Sequence, residues 1–127
     1  ASHLAGNGAN VIAVARRADA LAAWADEADG NTAFVAADLG DISALSDVAV
    51  DIATAFGDVD ILINAAGLNP RKHADEVTPD IWAQTQDINL NAPFFLAQAL
   101  SILHRCNLPA LLKMGSHMAP PKVVWSK

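Results

Sequence analysis

Tyrosine is absent from the 127 residues, and cysteine occurs once, at Cys106. The first absence excludes a phenol as an acid or base within this chain. The second excludes an internal disulfide and fits a reducing compartment. Charge is also sparse, at 17% of residues, and its balance is negative, −6 at pH 7. A surface of that sign argues against nucleic acid or an anionic membrane as a partner. No apolar run reaches membrane-spanning length, and the first residues lack the charged and apolar regions of a secretory signal, so the cytoplasm is the expected address. His3, His73, His104 and His117 are scattered without metal-ligand spacing, and no metal is expected. What the chain does have is apolar surface: 53% of residues are hydrophobic. That is a globular composition, and the length suits one domain with a real core.

The apolar residues fall into alternating short runs and helical stripes. Ala1–Ala5 reads as the end of a helix, stopped by Gly6-Asn7-Gly8. Asn10–Ala15 (NVIAVA) is a buried strand, rich in β-branched side chains and bounded by turn residues. Arg16 and Arg17 follow it, and Asp19 is the expected cap of a helix with Leu21, Trp24, Ala25 and Ala28 on its apolar face. Ala33–Ala37 is a second strand. Ile42, Leu45, Val48, Ala49, Ile52 and Phe56 form one helical stripe, ended by Gly57. Val59–Ile63 is a third strand, leading into Asn64-Ala65-Ala66-Gly67, and Leu68–Val77 is a polar loop. Thr78 then caps a long helix with Pro79 at its first position and Asp80 near the positive end of the dipole. Ile81, Trp82, Ile88, Phe95, Leu96 and Ala99 are its expected apolar face.

Strands alternating with single helices imply crossover units, and therefore a parallel sheet with helices on both faces. Neither an internal repeat nor a linker marks a second domain. Residues 101–127 form an atypical tail. Asn107–Lys113 suits another helical turn, Pro120-Pro121 breaks any helix, and Lys122–Ser126 (KVVWS) has the composition of a strand. Gly115-Ser116-His117-Met118 matches the scar left by cleavage of a common expression tag.

Four segments, in order and spacing, resemble the short-chain dehydrogenase/reductase family over roughly the first hundred residues. They are Gly8-Ala9-Asn10-Val11-Ile12 into Ala15-Arg16-Arg17, then Ala37-Asp38-Leu39, then Asp60-Ile61-Leu62-Ile63-Asn64-Ala65-Ala66-Gly67, and Asp87-Ile88-Asn89-Leu90. The resemblance implies a Rossmann-like fold and hydride transfer between a nicotinamide cofactor and a small carbonyl or alcohol substrate. Asn64, Ala65, Ala66 and Gly67 are similar to the family's Asn-Asn-Ala-Gly signature, with Ala65 in place of the second Asn. Ligands of open parallel sheets bind beyond the carboxyl ends of strands, where small residues admit a nucleotide and Gly67 is expected to permit a turn that a side chain would block. Arg16 and Arg17 follow the strand that the family points at the adenosine ribose. Arginine there, beyond the non-acidic Ala15, suits a 2′-phosphate, so NADP is the expected cofactor and NAD the alternative. Asp38, beside Leu39, resembles the aspartate that recognises the adenine amino group.

Asn89 resembles the helix asparagine of the family's catalytic tetrad, whose main-chain carbonyl holds a water in a proton relay. Here the sequence itself supplies a reason. Pro93 has no N–H to give that carbonyl, and its ring would clash with it in a regular helix, so a local kink is expected.

The resemblance is incomplete. The family's glycine-rich turn after its first strand and its catalytic tyrosine and lysine find no match, so the chain reads as a partial domain, with the first strand and the C-terminal part missing. The family sets that first strand between the strands read at Asn10–Ala15 and Val59–Ile63. Unless Lys122–Ser126 folds back into the gap, two unpaired edges would face each other, and the chain is then expected to oligomerise or fold poorly. If Lys122–Ser126 is instead a fifth strand, Ser126 falls near the family's catalytic serine. Three functions remain open: part of an NADP-dependent oxidoreductase, a non-catalytic nucleotide-binding module, or an oligomerising fragment using the helix from Thr78.

Overall fold

The computed structural model describes residues 1–106 and 120–127. The segment Asn107–Lys113 and the run Gly115-Ser116-His117-Met118 lie outside the described residues. After a short helix α1 (Ser2–Gly6), the chain alternates β1 (Asn10–Ala15), α2 (Ala18–Glu27), β2 (Thr32–Ala36), α3 (Leu45–Phe56) and β3 (Ile61–Asn64). Two helices follow, α4 (Pro79–Gln86) and α5 (Ala92–Cys106), and then β4 (Lys122–Ser126). The four strands form one parallel sheet in the order β2-β1-β4-β3.

The tail strand therefore sits in the middle. β4 pairs with β1, Val124 opposite Ile12, and with β3, Val124 opposite Leu62. Both expected bare edges are satisfied: Asn10 donates its amide to Pro121 O at 2.9 Å and Asp60 donates to Lys122 O at 3.0 Å. Asp60 also accepts the Lys122 amide at 2.9 Å through its carboxylate. Val123, Val124 and Ser126 are buried. The reading of Lys122–Ser126 as a fifth strand beyond β3 is thus corrected. Val123 and Val124 are adjacent, buried and packed on opposite layers, as a central strand covered on both faces requires.

Strand residues alternate between two layers. Ile12, Val14, Val124 and Leu62 face one side, where α3 (Leu45, Val48, Ala49, Ile52) and α5 (Ala92, Leu96, Leu100) cover them. Val11, Val123 and Ile63 face the other, against α1 and Trp24 of α2. Trp24 Nε1 donates to Ser2 Oγ at 3.0 Å, tying α2 to α1.

Several local expectations need revision. Asp19 does not cap α2; Arg17 is the N-cap residue, without a side-chain cap, and Asp19 lies in the first turn, where its charge still favours the helix dipole. The third strand runs Ile61–Asn64, later than Val59–Ile63. Trp82 and Phe95 are not core residues, being 60% and 39% exposed. The buried stripe of α5 is Ala92, Leu96 and Leu100, spaced four apart, with Phe95 at its edge. At Gly67 a Cβ would meet its nearest atom at 3.5 Å, an ordinary contact, and the positive-φ glycines are Gly8, Gly30 and Gly57. Gly67 is therefore not demanded by its turn. Thr78 does cap α4, accepting the Ile81 amide at 3.3 Å, with Pro79 behind it.

Candidate functional site

All the sequence-predicted site residues lie at or just beyond the carboxyl edge of the sheet, except Asn89, which α4 and α5 bring over that edge. Asn64 ends β3. Its Oδ1 lies 3.3 Å from the Ser126 hydroxyl, which has Ile63 O at the same distance as a second acceptor. Ser126 O accepts the Ala65 amide at 2.8 Å, so β4 fixes the start of the Asn64–Gly67 loop. Ala66 and Leu39 pack on the core beneath. Asn64, Ala66, Leu39 and Ser126 converge with Ile88, Ala92 and Pro93 around one small gap at the strand ends.

Asn89 sits in a π-turn, Asp87–Asn91, between α4 and α5. This is the irregularity that Pro93 requires: a wider turn moves the ring away from the carbonyl it would strike in an α-helix. The Asn89 side chain has a second task that the sequence did not announce. Its Oδ1 accepts the Leu68 amide at 2.7 Å, and its Nδ2 donates to Leu68 O at 2.8 Å. Both hydrogen-bonding groups of Leu68 are thereby held by one side chain twenty-one residues away. The signal was there in part, since an asparagine on a helix beside a glycine-ended loop has both a donor and an acceptor to give.

Between the loop after β2 and helix α4 runs an open groove of about 560 Å³, lined by Arg16, Asp38, Gly40, Asp41, Asp80, Gln84, Asp87 and Ile88, among others. Asp38 Oδ1 accepts the Gly40 amide at 2.9 Å, and a Cβ on Gly40 would come within 3.3 Å of that same oxygen. Arg16 is exposed at the groove and, among the described residues, enters no salt bridge. Arg17 is exposed too, but lies outside the groove lining. Sequence reasoning missed the α4 side of this groove. Asp80, Ile81, Gln84, Asp87 and Ile88 form a stripe at helical spacing, which could have been read as one face.

Electrostatically the groove is unbalanced, with four carboxylates, Asp38, Asp41, Asp80 and Asp87, against the Arg16 guanidinium. Asp41 also organises the entry to α3, accepting from the Ser43 hydroxyl at 2.6 Å and the Ser43 amide at 3.1 Å. The hydroxyl in particular holds its carboxyl below the ordinary range. Among the described residues no cluster of His, Cys, Asp or Glu is arranged to hold a metal, and no helix is long and apolar enough to cross a membrane.

A parallel sheet with its polar groups gathered at the carboxyl edge is the architecture of nucleotide-binding α/β proteins. Residues 1–105 match the family model described as short chain dehydrogenase. The chain is 36% identical to D-threitol dehydrogenase of Mycolicibacterium smegmatis, over 94% of its own length and 51% of that protein. It is also 36% identical to gluconate 5-dehydrogenase of Gluconobacter oxydans, over 80% and 41%. Among solved structures, a metagenomic short-chain oxidoreductase in complex with NADP superposes with a TM-score of 0.75 at 25% identity, over 99% of this chain and 53% of that one. A short-chain alcohol dehydrogenase from Sinorhizobium meliloti gives 0.73 at 31%, over 81% and 42%. The chain belongs to the short-chain dehydrogenase/reductase family, and it spans about half the length of these relatives.

Proposed function

We propose that this chain forms the adenosine-binding half of an oxidoreductase that moves hydride between NADP(H) and a small carbonyl or alcohol substrate. The observation that carries the reading is Arg16, a cation without an ion pair among the described residues, at the carboxyl end of β1 beyond the non-acidic Ala15. A guanidinium in that position suits the extra phosphate of NADP and offers little to the bare ribose of NAD. The residues present fit such a group: Arg16 and Asp38 line the groove, and the reading assigns the rest of the cofactor to Asn64, Ala65, Ala66 and Gly67 beyond the end of β3. When bound, the nicotinamide would supply the hydride. The chain's own part is to bind and orient: the Asn89 carbonyl, to which Pro93 offers no N–H, would hold a water, and the Asn89 side chain fixes the loop at Leu68.

The test is a titration of the purified chain with NADP⁺ and NAD⁺. Tighter binding of NADP⁺, lost selectively in Arg16→Ala, is the expected result. A charge-assisted phosphate contact is worth roughly 1.5–3 kcal/mol, about 10- to 150-fold in affinity. Equal loss for both cofactors defeats the assignment. One observation favours self-association as a second role. Trp82 of α4, Leu90 of the π-turn, and Phe94 and Ile102 of α5 are large and exposed, an apolar surface suited to another copy of the same chain.

A further inference from the structure

The crossovers of this sheet do not share one hand. From β1 to β2 the chain moves outward through α2, whose Trp24 packs on the face of Val11 and Val123. From β2 to β3 it moves the opposite way, across β1 and β4, through α3 on the face of Ile12, Val14 and Val124. Reversing both the direction and the face keeps the hand unchanged. From β3 to β4 the direction reverses again, but α5 stays on the face that α3 occupies, with Ala92, Leu96 and Leu100 in the same cluster as Leu45 and Ile52. This third crossover therefore has the opposite hand to the other two. Crossovers between parallel strands are right-handed in about 98% of cases, because strand twist and helix packing favour that path. With two connections of the common hand, the rare one falls on β3 to β4.

Among the described residues, the contacts of β4 are all to elements far from it in sequence. Its backbone pairs with β1 on one side and β3 on the other, both far earlier in the sequence. Its buried side chains meet residues of both layers. These contacts are the same whichever copy supplies the strand, so exchange between copies removes the unfavourable crossover and forfeits no packing. Residues 107–121 join α5 to β4, and a chain of that length reaches at most about 50 Å when extended. That reach spans neighbouring copies of a domain this small.

We propose that two copies of this chain exchange β4, each placing Lys122–Ser126 in the central slot of the other. The small gap at the strand ends is then built from two chains. The Ser126 hydroxyl that lies against Asn64, and the Ser126 carbonyl that accepts the Ala65 amide, come from the second copy. The proposal is independent of cofactor choice and of activity.

Two measurements test it. Light scattering of the unaltered chain over a concentration series should give twice the 13.2 kDa of one copy. In a Cys106→Ser background, Asn10→Cys with Lys122→Cys places one thiol on each member of a registered pair. A short bis-maleimide, to whose two double bonds the thiols add, should then produce covalent dimers on a denaturing gel. A monomer at all concentrations overturns the proposal. So does a dimer in which every cross-link lies within one chain, which would leave the α4–α5 surface as the interface. If the cysteine variant does not fold, a mixture of isotope-labelled and unlabelled copies of the unaltered chain, refolded together, gives the same decision. Filtered nuclear Overhauser contacts between Val11 of one copy and Val123 of the other are expected, and their absence overturns exchange.

Discussion

Replacing Asn89 by alanine removes both bonds that hold Leu68, at 2.7 and 2.8 Å, without touching the core. A typical intramolecular hydrogen bond contributes roughly 0.5–1.5 kcal/mol net, so the pair bounds the effect at about 1–3 kcal/mol. Asn89 is exposed and Leu68 only half-buried, so water replaces the lost partners and the lower end applies, about 1 kcal/mol. That free energy belongs to the loop rather than to the whole sheet, because Leu68 lies outside β3 and both core layers. The assay is therefore local. Amide hydrogen exchange at Leu68 should quicken about five-fold in Asn89→Ala, while the amides of β1 and β4 keep their protection. Asn89→Asp is the informative companion. It retains an acceptor for the Leu68 amide but faces the Leu68 carbonyl with a second acceptor, so it should fall between wild type and alanine or below both. Unchanged exchange at Leu68 in Asn89→Ala would refute the clamp. Uniformly faster exchange throughout the sheet would refute it too, by showing that Asn89 acts through the helix.

The remaining expectations are brief. Arg17→Ala should leave NADP⁺ affinity within about two-fold of wild type where Arg16→Ala does not, since only Arg16 lines the groove; equal effects in a titration would contradict the division between them. Val124→Ala, at a fully buried position between Ile12 and Leu62, should lower stability by about 2–3 kcal/mol in denaturant unfolding, from the lost methyl groups and the cavity they leave. A loss under about 0.5 kcal/mol would mean that β4 is not packed in the centre. Ser43→Ala should raise the Asp41 pKa towards the ordinary carboxylate value in an NMR titration. Because that pKa is depressed in the folded chain, the stabilisation is present above the unfolded value and fades as pH falls through the lowered one. The chain by itself should transfer no hydride above background to any carbonyl or alcohol, because no tyrosine is present as the acid; clear turnover by protein free of host reductases would assign that task to another residue.

Much of this architecture was written locally. Asn10–Ala15 and Lys122–Ser126 are strands with the bounds their composition indicates, because β-branched runs between turn residues leave few alternatives. Thr78 with Pro79 marks the start of α4, and the Leu45–Ile52 stripe marks the buried side of α3, since capping and the helical period act over a few residues. Pro93 likewise announced the disturbance that became the π-turn.

Tertiary structure decided what depends on distant partners. Trp82 and Phe95 carry the same hydrophobic character as Leu96, and only the position of the sheet determines which of them is buried. The bonds of Asn89 to Leu68, and the acidic α4 wall facing Arg16, exist because a helix and two loops far apart in sequence meet over one edge. The place of β4 is the clearest case. A run of Lys-Val-Val-Trp-Ser specifies that a strand forms, since its propensity is local. It does not specify which edges the strand joins, because that depends on where two other strands leave their hydrogen-bonding groups unpaired.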